Sequence, residues 1–139
     1  MIFIDTGAFV ARHVIKDQHH FEALPVWAQI QRHDVRCFTS NFVVEETITL
    51  IAQRTGYAFA HQIAQLFYST SDLEILRTDR DMELKALELF DKYADQEISF
   101  TDCVSFVLMH AHRLTTVFCF DRHFDVPGFT RIPLVPLGR

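Results

Sequence analysis

Acidic residues stand directly after two of the apolar segments that the sequence predicts to be buried strands. Asp5 follows Met1–Ile4, and Asp121 follows Thr116–Phe120. In open parallel α/β sheets, ligands bind beyond the carboxyl ends of the strands, so both carboxylates are expected at the same edge. The alternative is that each aspartate caps the helix or turn that follows it. The sequence leaves both roles open.

A third acid lies inside the apolar stripe of a predicted helix. On a helical wheel, Glu46 shares a face with Phe42 and Leu50, whereas its neighbour Glu45 projects towards the polar side. A carboxylate in an apolar stripe is costly unless it is paired or binds a metal ion. Glu46 is therefore the functional candidate of this doublet, and Glu45 is expected to be solvated.

A fourth acid, Asp102, lies at the start of a predicted helix, Phe100–Leu114, that is apolar on nearly every side. Ser99 and Asp102 have the spacing of a capping box, which would give the acid a purely structural role. Because the helix must be buried, an acid in its first turn would also lie at the edge of the core and face the site. Both interpretations of Asp102 stay open.

Together, these acids would form a cluster of oxygen ligands. Carboxylates that are brought close together repel one another, so they need a cation or protons. Oxygen ligands suit Mg²⁺ or Mn²⁺ better than Zn²⁺. Such a site can bind a phosphodiester, activate water and stabilise the leaving oxygen. The proposed catalytic and metal-binding acids are Asp5, Glu46, Asp102 and Asp121.

The pattern of apolar segments predicts the fold that must position these acids. The predicted strands are Met1–Ile4, Val35–Phe38, Leu73–Leu76, Thr116–Phe120 and an edge strand at Arg131–Val135, where Pro133 removes a ladder donor. The predicted helices are Ala8–Ile15, Phe21–His33 with Pro25 in its first turn, a helix from Thr39 or Ser40 to Thr55, Tyr57–Tyr68, Asp79–Tyr93 and Phe100–Leu114. This alternation indicates one α/β domain over residues 1–139 with a parallel sheet. The tail, Pro133–Arg139, is expected to fray.

Composition and charge exclude several classes of protein. The 139 residues are 49% hydrophobic and 22% charged, which excludes a disordered chain. No apolar run reaches the ~18 residues of a membrane span, and no signal peptide is expected at the N-terminus. Cys37, Cys103 and Cys119 form no CxxC pair and are expected to be buried thiols in a reducing cytoplasm. The net charge of −5 excludes a broad basic surface for nucleic acid, so any such contact must be local or helped by cations.

Four segments that contain these acids resemble motifs of the PIN-domain ribonucleases, most closely those of the VapC-type toxins of toxin–antitoxin pairs. The segments are Ile2–Phe9, Phe38–Thr47, Ile98–Phe106 and Val117–Phe124. Their order and spacing cover almost the whole chain, which has the length of a single PIN domain. The resemblance implies a three-layer α/β/α fold with a central parallel sheet of four to five strands.

The same resemblance implies an activity and partners. It implies a Mg²⁺- or Mn²⁺-dependent endoribonuclease that uses the four acids, with Thr6 and Thr101 supporting them through hydroxyl hydrogen bonds. Asp125 would be a further outer acid, unless it is only a loop residue. Family members usually form homodimers and are blocked by an antitoxin whose basic segment enters the acidic groove. The apolar helix at Tyr57–Tyr68 is a candidate for part of the dimer surface.

Basic residues near the predicted acidic edge are candidates for RNA contacts. Arg12, Lys16, Arg54 and Arg122 could hold phosphates, and His123 could contact RNA beside the site. The alternative is that they are ordinary surface or loop residues. Two other functions also remain open: a PIN nuclease that processes RNA without an antitoxin, and a catalytically weak PIN-like module that binds protein.

Overall fold

A computed structural model describes residues 1–133, so the ends of the segments predicted at Arg131–Val135 and Pro133–Arg139 lie outside the described residues. The strands are β1 (Ile2–Ile4), β2 (Cys37–Ser40), β3 (Leu73–Leu76), β4 (Thr116–Phe118) and β5 (Thr130–Ile132). The helices are α1 (Thr6–His13), α2 (His20–Arg32), α3 (Asn41–Thr55), α4 (Tyr57–Ser69), α5 (Arg80–Lys92) and α6 (Phe100–Ala111). The predicted elements are present, with ends that shift by a few residues.

The five strands form one parallel sheet in the order β3-β2-β1-β4-β5. Because crossovers between parallel strands are right-handed, α1 to α4 cover one face and α5 and α6 cover the other. This confirms the predicted three-layer α/β/α fold. The direction in which strands are added reverses between β1 and β4, and a binding crevice is expected beyond the carboxyl ends of these two strands.

The central strand β1 is buried along its whole length. Ile2, Phe3 and Ile4 are all 3% exposed or less, which explains why the segment shows no alternation of apolar and polar residues. Phe3 lies opposite Phe38 of β2 and Val117 of β4. The core is therefore densest around the strand whose end carries Asp5.

Side-chain caps fix the starts of two of the helices beside the crevice. The Ser40 hydroxyl accepts a hydrogen bond from the Val43 N–H at 3.0 Å, as the sequence predicted for the start of α3. The Ser99 hydroxyl accepts from the Asp102 N–H at 3.1 Å at the start of α6. These caps set where each helix begins, and so they set which way its acids point.

Two details of the predicted elements are wrong. Pro25 is the sixth residue of α2 and lies beyond its first turn, because the His20 and Ala23 N–H groups already bond to the Asp17 and His19 carbonyls upstream. Strand β4 ends at Phe118, not Phe120. Asp121 therefore follows the strand after a short connection and not directly.

The helices of residues 1–133 give no sign of a membrane segment: none is long and apolar enough to cross a bilayer. The three cysteines are free and buried, as predicted.

Candidate active site

A cleft of about 660 Å³ opens beyond the carboxyl ends of β1 and β4. The predicted acids from four separate segments of the chain all line it: Asp5, Glu46, Asp102 and Asp121. The crevice expected from the strand order is thus also the place where the carboxylates meet. Neither the strand order nor the position of the acids depends on the other, so their agreement strengthens the assignment of this cleft.

Asp5 and Asp121 reach the cleft in different ways. The Asp5 N–H donates to the Phe118 carbonyl at 3.0 Å, which ties the end of β1 to the end of β4. Within the described residues, the Asp5 side chain makes no capping bond to α1, and the residue is only 5% exposed. Asp121, in contrast, caps the 3₁₀ turn Arg122–Asp125 by accepting from the His123 N–H at 2.9 Å. The capping alternative is therefore right for Asp121 and wrong for Asp5.

Asp102 combines the two roles that the sequence left open. Its backbone N–H completes the Ser99 cap, while its side chain lines the cleft and the residue is 6% exposed. In the Glu45–Glu46 doublet, Glu46 lines the cleft and is half-buried, whereas Glu45 is exposed beside Thr49. The helical-wheel argument thus selected the residue that faces the cleft.

The environment of the cleft opposes the ionisation of three of its carboxyl groups. Burial raises the pKa of Asp5 to about 7, the Thr6 backbone amide opposes this rise, and the charges of Asp121 and Glu46 add to it. Burial, and then the charges of Asp5 and Asp121, raise the pKa of Asp102 to about 9. Burial also raises the pKa of Glu46, although a hydrogen bond from Thr101 opposes the rise. The cluster therefore lacks positive charge and would be relieved by a cation or by protons.

The residues of the cleft fit a divalent cation. Carboxylate oxygens are the ligands that Mg²⁺ and Mn²⁺ prefer. Hydrogen bonds from the Thr6 and Thr101 side chains to Glu46 favour its ionised form. The crowded carboxylates indicate that this cleft receives a cation.

Several residues at the rim of the cleft were not predicted from the sequence. The His19 ring stacks on Phe120 with centroids 4.2 Å apart and planes at 2°. Arg54 pairs with Asp17, with its Nη1 2.7 Å from Oδ1. His19 and Asp17 lie in the loop between α1 and α2, where no sequence spacing indicates a site. Of the predicted RNA contacts, Arg54, Arg122 and His123 line the cleft.

Two other predicted site residues lie elsewhere. Arg12 lies in a separate cavity at the amino ends of β2 and β3, with its guanidinium 4.4 Å from the centre of the Trp27 ring. Since α1 runs back along the sheet, its last turn is far from the carboxyl edge, and the predicted position of Arg12 is wrong. The Asp125 carboxylate accepts two hydrogen bonds from Arg131, at 2.8 and 3.0 Å, and the described lining of the cleft does not include it. The loop interpretation of Asp125 therefore fits better than that of an outer acid.

Comparison with known proteins agrees with this geometry. The family model for the PIN domain matches residues 2–129. The chain belongs to the PIN-domain family. Its relatives within this family are of the VapC type, as the sequence motifs predicted.

Two of these PIN-domain relatives are similar over nearly the whole chain. One is the 23S rRNA-specific endonuclease VapC20 of Mycobacterium tuberculosis, 31% identical over 132 residues, covering 95% of this chain and 98% of the relative. Another is a VapC ribonuclease of Archaeoglobus fulgidus, 29% identical over 130 residues, covering 92% and 81%. The crystal structure of M. tuberculosis VapC20, described as a sarcin–ricin loop cleaving toxin, superposes with a TM-score of 0.86 at 28% identity, covering 94% of this chain and 97% of that one.

Proposed function

We propose that this PIN-domain protein is a divalent-metal-dependent endoribonuclease and the toxin of a toxin–antitoxin pair. The observation that carries the proposal is the cleft in which carboxylates from four segments of a VapC-type chain converge. Its catalytic and metal-binding residues would be Asp5, Glu46, Asp102 and Asp121. A net charge of −5 opposes the binding of a polyanion such as RNA. A cation bound by these acids would reduce that repulsion.

The carboxylates would hold Mg²⁺ or Mn²⁺. When bound, such an ion would neutralise the scissile phosphate and favour ionisation of the attacking water. The buried Asp5 and Asp102 would release their protons when the ion binds, because carboxylates bind metals in the deprotonated form. Hydrogen bonds from Thr101 and Thr6 would orient Glu46.

RNA would enter along the rim of the cleft, where phosphate contacts position a nucleic acid without reading its sequence. Arg54, Arg122 and His123 are the basic side chains on this rim, and Arg54 is held in place by Asp17. The antitoxin would offer a basic segment to the same acidic cleft. The similarity to a 23S rRNA-specific relative makes ribosomal RNA the first substrate to test.

The remaining features of the proposal concern assembly and location. The chain would act as a single PIN domain over residues 1–139, in the cytoplasm, where its three thiols stay reduced. It would form a homodimer. Helix α4 is a candidate for part of that surface, because Tyr57, Leu66 and Tyr68 are each more than half exposed.

The test is cleavage of purified 23S rRNA and of a mixed RNA pool with Mg²⁺, with Mn²⁺ and with EDTA, using Asp5→Asn beside the unaltered chain. We expect metal-dependent products with 5′-phosphate and 3′-hydroxyl ends, and no cleavage by the folded variant. Retained cleavage by Asp5→Asn, or cleavage in EDTA, would contradict the proposed site. Expression without the antitoxin should arrest growth, and the same variant should relieve the arrest. Growth without arrest would favour a processing nuclease or a binding module.

A further inference from the structure

The imidazole ring of His123 is turned towards the acids of the cleft. Its Nδ1 atom lies 3.4 Å from Oδ2 of Asp102 and 3.2 Å from Oδ1 of Asp121. One ligand atom from each of the three residues lies within 4.8 Å of the other two. Neighbouring ligands of an octahedral ion are about 3 Å apart when each lies about 2.1 Å from the metal. These three atoms are therefore close enough together to contact one ion.

The local fold holds the ring in this direction. Asp121 caps the 3₁₀ turn by accepting from the backbone N–H of His123 at 2.9 Å, so the two residues are bound to each other before any ligand arrives. Behind the turn, the next residue, Phe124, is fully buried and packs edge-on against Phe106 with ring centroids 5.1 Å apart. The backbone of His123 is thus held in place on both sides, and its short side chain reaches the acids directly.

The acids that the ring faces are crowded and buried. The Asp102 side chain is only 8% exposed, and the charges of Asp5, Asp121 and Glu46 all act on it. Carboxylates that are brought together in this way need a cation or protons. A cation beside His123 would meet that need.

We propose that Nδ1 of His123 is a ligand of the divalent ion in this cleft, so that the donor set is mixed nitrogen and oxygen. This inference rests on the proposed metal-dependent nuclease and adds a residue to its site. A nitrogen ligand changes which ion binds best. Imidazole binds Mn²⁺ and later transition metals better than Mg²⁺, whose ligands are almost always oxygens. The cleft should therefore prefer Mn²⁺ to Mg²⁺.

The experiment is electron spin-echo envelope modulation on the full chain loaded with Mn²⁺, which detects nitrogen bound to the metal. We expect a ¹⁴N coupling that changes when the protein is labelled with ¹⁵N-histidine. His123→Ala should abolish the coupling, while its backbone N–H still bonds to Asp121. The matched control is His19→Ala, because His19 also lines the cleft but stacks on Phe120. This control should keep the coupling.

Calorimetric titration of the same proteins gives a second measurement. Loss of the ligand should weaken Mn²⁺ binding about tenfold or more and Mg²⁺ binding much less, and the control should change neither by more than about twofold. Mn²⁺ bound without nitrogen coupling, or a coupling that persists in His123→Ala, would overturn the inference and leave the nuclease proposal standing. Failure to bind Mn²⁺ at all would overturn both. The ¹⁵N-histidine experiment needs no substitution, so an absence of histidine coupling would overturn the inference even if a variant misfolds.

Discussion

Two concave regions of residues 1–133 lie at opposite edges of the sheet. One is lined by acids, and the other contains several aromatic rings. The acidic cleft at the carboxyl edge, about 660 Å³, brings together carboxylates, and burial and mutual repulsion raise the pKa values of Asp5 and Asp102. The cavity at the amino edge, about 380 Å³, is lined by the rings of Phe9, Trp27 and Phe67. There Arg12 lies over Trp27, and Arg36 pairs with Glu74 at 3.3 Å.

This difference indicates that the acidic cleft binds a ligand and that the amino-edge cavity contributes to the stability of the fold. In the amino-edge cavity the Trp27 indole N–H donates to the Ala8 carbonyl at 3.1 Å, so its polar atom is satisfied within the chain. In the acidic cleft the carboxyl groups of Asp5, Asp102 and Asp121 repel one another. Substitutions in the cleft should therefore affect activity more than stability, and substitutions in the cavity the reverse.

The largest expected effect is the loss of activity in Glu46→Gln. Removing one of the carboxylates proposed to hold the metal should lower the rate of RNA cleavage about a thousandfold, equivalent to about 4 kcal/mol. Glu45→Gln is the matched control, since its side chain is exposed one residue away. The rates are compared under identical Mn²⁺ concentrations. Equal losses in the two variants would show that total charge matters and that the cleft geometry does not.

A large effect on stability is expected at the opposite edge, from Trp27→Ala. The substitution removes an indole that packs against Phe9 and Phe118 and deletes the bond to the Ala8 carbonyl. The free energy of unfolding should fall by about 3 kcal/mol, as measured by denaturant titration. Mn²⁺ affinity of the folded fraction should not change. A clear drop in that affinity would show that the two regions are coupled.

The sequence predicted the acidic cleft well because its signals are local and physical. Strand β1 ends where its apolar run ends, directly before Asp5, and a helical wheel distinguishes Glu46 from Glu45 without any tertiary information. The role of Asp102 was harder to predict, because its spacing from Ser99 fits a helix cap as well as a site residue. The structure shows both roles. Only burial, which the sequence indicated through the apolar helix that follows, favoured the second role.

The errors arose where the outcome depends on direction or on a distant partner. Arg12 is close to Asp5 in sequence, yet α1 carries it to the other edge of the sheet. Asp125 lies one turn beyond Asp121, but Arg131 of β5 holds its carboxylate through two hydrogen bonds. The orientation of His123 towards the acids was missed for the same reason. The sequence pattern does not indicate the orientation of the His123 ring.

A moderate gain in stability is expected when a cleft acid is neutralised in Asp102→Asn. Because the pKa of Asp102 is raised to about 9, the folded protein keeps a proton that the unfolded chain releases near pH 4. The stability of the metal-free protein should therefore fall as the pH rises from about 4 to about 9. At pH 8 the variant should be the more stable of the two and melt at a higher temperature.

Thermal melts of the metal-free proteins between pH 5 and pH 9 check this expectation. The difference in Tm should shrink towards pH 5, because keeping a proton on Asp102 in the folded protein costs less as the pH approaches the pKa of the unfolded chain. Saturating Mn²⁺ should reverse the order at pH 8, because only the unaltered chain gains the full binding energy. A variant that is less stable than the unaltered chain at every pH would mean that the ionised acid supports the fold.

The smallest expected effect is in Arg36→Ala, and it tests whether charge at the amino edge is as unimportant as the comparison requires. The pair with Glu74 is 3.3 Å long, but its side chains are 70% and 56% exposed. Solvent screening limits such pairs to about 0.5 kcal/mol, and the Arg36 guanidinium also lies 5.2 Å from the centre of the Phe38 ring. The variant should lose no more than this in urea titrations, and added salt should remove the difference. A loss of unfolding free energy above about 1 kcal/mol that persists in high salt would show that this edge also contains a buried charge. The distinction between a charged ligand site and an apolar structural cavity would then be wrong.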